Sequence, residues 1–406
     1  MLYKKIKTYF KNLKLKKKLI KQEAFFKLED YTFKSHNVLI VDEIIPEYNK
    51  DSGSRRLTEI IKLLIKNDVG VFLLADLKQY KYHSTYINYF KSLGVNVYEP
   101  KVEANKLVTK ELFIKKIAFK LNTAWLHRPN IFYTYHDLIK TCNPNTKLVF
   151  DMVDFHYVRF MREFELSKNK YSKSEANKFL KIELDNCKKA DAIIAISNTD
   201  KVLLEKHFEQ KEKVLVLSNI HNYISENKYF KPFEKRRDLL FIGGFKHEPN
   251  IDAVKFLFEE IMPLVWKSHP DIKINIVGST ITNQIKSYQS PNFNIMGFVD
   301  DIDTIINSSR VFVAPLRFGA GIKGKIGQSL EHGLPLATTD VGEEGFEFGS
   351  VRSKMVANNA KDFAQLILNL YENKQSWEEV SSKCEDILKP FSLIETEKTL
   401  LQIINS

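Results

Sequence analysis

From about residue 36 onward, short apolar runs alternate with stretches whose apolar residues recur every three to four positions. The runs "NVLIVDEI" (37–44), "GVFLLAD" (70–76), "VNVYEP" (95–100), "TAWLHRP" (123–129), "KLVFDMV" (147–153), "DAIIAIS" (191–197) and "KVLVLSN" (213–219) predict strands, several of them covered on both faces. Between them, "SRRLTEIIKLLIKN" (54–67), "STYINYFKSLG", a long helix before "TAWLHRP", and "ANKFLKIELDNCKKA" predict helices. The polar, proline-containing stretch "HNYISENKYFKPFEKRRD" then interrupts the alternation, which restarts at "LLFIGGF" (239–245). "IKINIVGS" (272–279), "FNIMGF" (293–298), "RVFVAPL" (310–316) and "LPLATTD" (334–340) complete a second set of strands. Strands separated by helices form parallel βαβ units, so the expected class is α/β with two doubly wound, Rossmann-like domains facing a cleft. The expected boundaries are an extension at 1–35, an N-terminal domain at 36–222, a linker at 223–238, a C-terminal domain at 239–388 and a terminal helix at 389–406. In such proteins the cleft is the default ligand site.

Composition narrows the class without naming a chemistry. With 44% hydrophobic and 28% charged residues the chain is globular, and no run reaches the roughly 18 residues of a membrane span. The N-terminus lacks a secretory signal pattern. The three cysteines, Cys142, Cys187 and Cys384, lie far apart and suggest neither disulfides nor zinc. The expected compartment is the cytoplasm.

The net charge of +12 is unevenly placed. Residues 1–22 hold nine lysines and no acid, and removing them leaves only +3 for the rest. Nucleic acid is therefore not the expected partner, since a binder of it carries its basic residues over a folded face. Within the tail, Tyr3, Ile6, Phe10, Leu13 and Ile20 recur at helical spacing between lysines, with one break at Lys17. A basic amphipathic helix of this kind predicts attachment to an anionic membrane surface. A solvated or loosely docked helix is the plainer alternative.

The sharpest motif is "RFGAGIKGKIGQSLEHGLPLATTD" (317–340), a G-x-G-x-x-G at Gly319, Gly321 and Gly324 after one strand and before another. A dinucleotide site is the first reading. Its late position, the short helix from about Ile322 to His332, and Lys323 and Lys325 inside the loop all speak against it. Backbone amides plus lysines suit a terminal diphosphate better. A glycine turn before a core helix is the alternative without function.

The segment 310–345 resembles the donor-binding region of bacterial glycosyltransferase family 4, the group 1 glycosyltransferases of surface polysaccharide synthesis, which have the GT-B fold. "LLFIGGFKHEPNIDAVKFLFEEIMPLV" (239–265) is similar to the start of that family's nucleotide-binding domain. "VLIVDEIIPEYNKDSGSRR" (38–56), "WLHRP" (125–129) and "FDMVDFHYVRFMREFEL" (150–166) resemble its N-terminal domain. The resemblance implies transfer of a sugar from a nucleotide-diphosphate donor to a glycan or lipid-linked saccharide, with retention of configuration, at the inner membrane face. No separate cofactor is implied. The donor set would be Gly243, Gly244, Lys246, Arg317, Gly319, Ala320, Gly321, Ile322, Lys323, Lys325, Gln328 and Glu344. Ala320 and Gln328 stand where many members carry two glutamates, a departure that touches donor-sugar recognition more than nucleotide binding. Glu331 reads as a surface or capping residue.

"DFHYVRFMRE" follows a strand and holds Asp154, His156, Arg159 and Arg162. The resemblance puts His156 beside the transferred sugar, and Asp154 is placed to accept the acceptor's proton; a salt-bridged helix start fits the same residues. For the acceptor, the expected contacts are Ser52, Gly53, Ser54, Arg55, Arg56, Arg128 and Arg159, "SGS" being a ready anion nest. An ordinary cap at Asp51 or Ser52 is the alternative. Asp301-x-Asp303 has the spacing of a metal-bound nucleotide site in other glycosyltransferases, but its place before "TIINSS" fits helix capping better, so no metal is expected. Two further functions remain open: a nucleotide-sugar 2-epimerase of the same fold, and an inactive sugar-nucleotide-binding scaffold.

Overall fold

The computed structural model describes residues 2–77, 85–224, 231–319 and 321–405, with side chains left out at 2–8 and 166. Two parallel sheets form its frame. The first is built from β1 (Asn37–Asp42), β2 (Gly70–Ala75), β3 (Asn96–Val97), β6 (Thr123–His127), β7 (Lys147–Asp151), β8 (Ala192–Ala195) and β9 (Val214–Val216). A small antiparallel hairpin, β4 (Lys101–Glu103) and β5 (Lys106–Val108), sits beside it. The second sheet holds β10 (Arg237–Ile242), β11 (Ile274–Val277), β12 (Phe293–Gly297), β13 (Ser309–Ala314) and β14 (Leu336–Thr338).

Strand order is β3-β2-β1-β6-β7-β8-β9 in the first sheet and β12-β11-β10-β13-β14 in the second. In each, the order reverses beside the first strand, between β1 and β6 and between β10 and β13. The carboxyl ends of strands at such a switch point leave a crevice that crossovers cannot fill. The continuous apolar runs of the sequence are the central strands, buried along their length in β1, β2 and β13.

Each sheet carries its own apolar core. The terminal helix, Leu393–Asn405, crosses back and gives Leu400, Ile403 and Ile404 to the first core. Part of the linker, 225–230, lies outside the described residues.

Two local expectations are corrected. The long helix before β6 is instead the β4–β5 hairpin followed by a short helix, Lys110–Ile117. Ala104 and Asn105 turn the hairpin with positive φ at both positions, a conformation usually flagged by Asn-Gly. At the N-terminus the helix Leu2–Lys21 forms. Its Leu19 is buried, and Lys16 Nζ donates to Asn105 O at 3.2 Å. The helix thus docks through Leu19 and Lys16. Of the predicted stripe, Phe10 is 58% exposed and Ile20 is exposed, while Leu13 is half-buried. Tyr3 and Ile6 lie where side chains are not described.

Candidate active site

A cavity of about 420 Å³ opens between the lobes, at the carboxyl ends of both sheets. From the N-terminal lobe it is lined by Lys50, Asp51, Ser52, Asp154 and Arg159. From the C-terminal lobe come Gly243, Gly244 and Lys246 after β10, and Gly319, Ile322, Lys323, Gly324 and Lys325 after β13. The two switch points therefore face each other across one space. Ala320 lies outside the described residues.

The glycine-rich loop is shaped by what it must touch. Gly321 has φ +70°, a backbone state that a side chain disfavours. Gly324 opens the helix Gly324–Glu331, and a Cβ there would come within 2.4 Å of Ser52 Cβ in the other lobe. Only glycine lets the two helix starts meet. Lys323 Nζ donates to Gly321 O and lies 3.6 Å from Glu344 Oε2. Burial pushes the Lys323 ammonium below its usual range in spite of the Glu344 and Asp200 carboxylates. Burial likewise lowers Lys325, helped by nearby Arg55. Lys325 Nζ donates to Gln328 Oε1 at 3.1 Å. Two desolvated ammonium groups and the helix amino end thus converge on one wall, which favours an anion.

Glu344 is held from across the cleft. Arg162 donates from both terminal nitrogens to its two oxygens at 2.7 and 2.6 Å, and also to Gly319 O at 2.6 Å. In the sequence Arg162 belongs to a charged helix start, and nothing there marks this partner 182 residues away. Asp200, unremarked in the sequence, is a buried carboxyl behind Gly321, raised to about 6 by burial.

On the N-terminal side, His156 begins the helix His156–Ser167 and stacks on Phe179 at 4.8 Å between centroids. Its Nδ1 lies 3.0 Å from Asp154 Oδ1 and 3.3 Å from Glu183 Oε1. Burial opposes the charged imidazole, but Asp154 and Glu183 outweigh it and raise its pKa. Asp154 Oδ2 also accepts from Arg159 Nη1 at 2.6 Å. Glu183, buried and also bonded to the His156 amide, gave no signal in the sequence because it sits mid-helix among lysines.

Several expected binding residues are committed elsewhere. Arg56 is 2% exposed, pairs with Asp151 at 2.9 Å and donates to Leu217 O, so it braces the core and cannot reach an acceptor. Arg55 makes a two-pronged pair with Glu331, at 3.0 and 2.8 Å. Arg317 is turned to Asp252 and does not line the cavity with Lys323 and Lys325. Arg128, with φ +72°, donates through Nε to Asp42 Oδ1 at 3.0 Å. Ser52, Gly53 and Ser54 form the first turn of Ser52–Lys66, capped by Asp51, whose side chain accepts from the Ser54 amide at 2.8 Å. That is the plain cap reading, although Ser52 still lines the cavity. Glu331 is neither exposed nor a cap. It is buried between Arg55 and His221, with His221 Nδ1 at 3.0 Å. Asp301 caps its helix, accepting from the Thr304 amide at 3.1 Å.

Residues 236–373, a third of the chain, match the family model of group 1 glycosyl transferases. The crystal structure of HepE from Anabaena with UDP and glucose aligns over 91% of this chain and 99% of that one, with TM-score 0.66 and 11% identity. A variant of TarM from S. aureus, with fondaparinux, alpha-GlcNAc-glycerol and UDP, aligns over 91% and 100%, with TM-score 0.66 and 12% identity. The fold is GT-B. A Klebsiella pneumoniae protein described as an uncharacterized 44.6 kDa protein in the cps region is 25% identical over 153 residues. That match spans 36% of this chain and 39% of the relative. Among the described residues no group of three or more His, Cys, Asp or Glu is arranged to hold a metal ion, and no helix is long and apolar enough to cross a membrane.

Proposed function

We propose that this GT-B chain is a glycosyltransferase of the family 4 type, moving a sugar from a nucleotide-diphosphate donor to a glycan or lipid-linked saccharide with retention. The observation that carries the reading is the pairing of Lys323 and Lys325 with the amino end of Gly324–Glu331 on one cavity wall. The donor diphosphate lies there, with the nucleotide approaching Gly243, Gly244 and Lys246. As the bond from the sugar's anomeric carbon to phosphate breaks, charge grows on the leaving oxygen, and preorganised donors in a water-poor site stabilise it. The acceptor oxygen bonds to that carbon on the same face, and its proton passes to the departing phosphate. His156, fixed by Asp154 and Glu183, supplies a hydrogen bond to a sugar hydroxyl. Fixed ammonium groups give this reading a route to metal-independent transfer.

The cps-region relative supports a role in surface polysaccharide synthesis. Phe10, exposed between Lys11 and the lysines of the preceding turns, supports peripheral attachment to the inner membrane face.

UDP is the test ligand. It raises the melting temperature of the native protein, and Lys323→Ala with Lys325→Ala removes that shift while the unliganded melting temperature stays within a few degrees. An undiminished shift in the double variant rejects the loop assignment. Conversion of a nucleotide sugar to its epimer without acceptor would favour the epimerase reading instead.

A further inference from the structure

The expected acceptor contacts are largely spent on other partners, but the loop that supplies Lys50 to the cavity also carries exposed aromatic surface. The loop after β1 ends in Tyr48, Asn49 and Lys50, and Tyr48 is 38% exposed. Its ring meets Tyr86 edge-on at 5.5 Å and Tyr89 at 4.7 Å, both from the helix Thr85–Ser92. Tyr86 Oη donates to Asn49 Oδ1 at 2.6 Å, which ties the loop to that helix. Across the cleft, Phe298 follows β12 and is 50% exposed, with Lys50 Nζ 4.6 Å from its ring centre. Lys50 itself lines the cavity. Lys50 thus links Phe298 of the C-terminal lobe to the cavity rim, and Tyr48 lies two residues before it in the same loop.

Neighbours hold both rings, yet Tyr48 keeps 38% and Phe298 50% of its surface open beside a cavity, which leaves apolar area that a ligand can cover. The ligand must have both an apolar face and hydrogen-bonding edges, because the rings are interleaved with Asn49, Lys50 and tyrosine hydroxyls. A pyranose has this form: its axial C–H groups carry slight positive charge and stack on the negative face of an aromatic ring, while its hydroxyls point sideways. We propose that Tyr48, braced by Tyr86, and Phe298 form a saccharide subsite at the mouth, where the sugar next to the acceptor hydroxyl stacks. This deepens the proposed function and rests on it for the identity of the site. Continuity with the cavity, through Lys50, is what favours a saccharide over a lipid chain or a second copy of the protein.

The experiment uses the full chain and methyl pyranosides of the gluco, galacto and 2-acetamido-2-deoxygluco series, observed by saturation-transfer NMR, with UDP thermal shift measured in parallel. Transfer to the C–H face of at least one glycoside is expected. Tyr48→Ala and Phe298→Ala each weaken that binding roughly two- to tenfold, as loss of an aromatic contact does, whereas Tyr48→Phe retains it. The UDP shift is the same in every variant. No transfer with the wild type, or equal transfer in Tyr48→Ala, overturns the subsite. So does a Tyr48→Ala effect confined to vesicle binding or to molecular mass by light scattering. Failure of the UDP shift in all proteins would instead strike the donor reading and leave the glycoside result to stand alone.

Discussion

Replacing Glu331 by Gln tests a buried contact between the lobes. The carboxylate is buried and receives both terminal nitrogens of Arg55, at 3.0 and 2.8 Å, with His221 Nδ1 at 3.0 Å and the Asn222 amide at 3.2 Å on the same oxygen as the shorter bond. Gln keeps one acceptor oxygen and turns an amide donor toward the other arginine nitrogen. Hydrogen bonds to charged groups are worth about 1.5–3 kcal/mol each. The arginine side chain is 38% exposed, so once released it regains water and the loss is discounted to about 2 kcal/mol. That corresponds to a fall of roughly 4–8 °C in melting temperature. Combining it with Arg55→Ala in a double-mutant cycle is expected to give a coupling of about 1–2 kcal/mol. The pH dependence has a definite sign. Burial alone would raise Glu331, but His221 and Arg55 overcome it and hold the carboxyl below its ordinary 4.5. Its stabilisation is therefore present above that value and lost as pH falls through its own lower one. The gap between wild type and Gln variant closes in acid. Additive single effects, or a gap that persists at acid pH, refute an electrostatic link between the lobes.

Two further outcomes follow from particular contacts. Gly324→Ala puts a methyl 2.4 Å from Ser52 Cβ and is expected to cost about 1–3 kcal/mol and weaken UDP binding; Ser52→Gly restores both, as melting curves would show. Tyr9→Ser with Phe10→Ser alters two side chains 61% and 58% exposed, so stability is unchanged while co-sedimentation with anionic vesicles drops, and undiminished co-sedimentation counts against the tail.

The sequence made the sheets legible because parallel strands covered on both faces read as plain apolar runs, and β1, β2, β6, β7 and β13 are of that kind. It made the glycine loop legible because amide exposure and positive φ demand glycine at fixed spacing. The hairpin at 101–108 was hidden because Ala104 and Asn105 adopt positive φ without glycine. Arginine partners were hidden for a different reason: a guanidinium reaches far, and its carboxylate is chosen by tertiary structure. Arg55, Arg56 and Arg317 all looked free for substrate and Arg162 read as part of a charged helix start, yet each meets an acid 65 or more residues away. The tail shows a third limit. Its lysine-flanked apolar residues occupy more than one face of the helix, and only contact with the hairpin decides which face docks.

Under the proposed function, the Arg162–Glu344 pair lets Lys323, already engaged, change partners for a diphosphate. Lys323 lies 3.6 Å from Glu344, so withdrawing it toward phosphate would leave a partly buried carboxylate uncompensated if nothing else held it. Arg162 supplies two direct hydrogen bonds to that carboxylate from the opposite lobe, and a third to the Gly319 carbonyl. The lysine is thus the replaceable partner and the arginine the permanent one. Its ammonium is buried beforehand, so under the proposed function an anion would replace the Gly321 carbonyl and the 3.6 Å approach to Glu344 without a further cost of stripping water. Because Arg162 comes from the N-terminal lobe, its bonds to Glu344 and Gly319 join the two lobes at the glycine-rich loop, as Arg55 and Glu331 join them at the end of the helix that follows it.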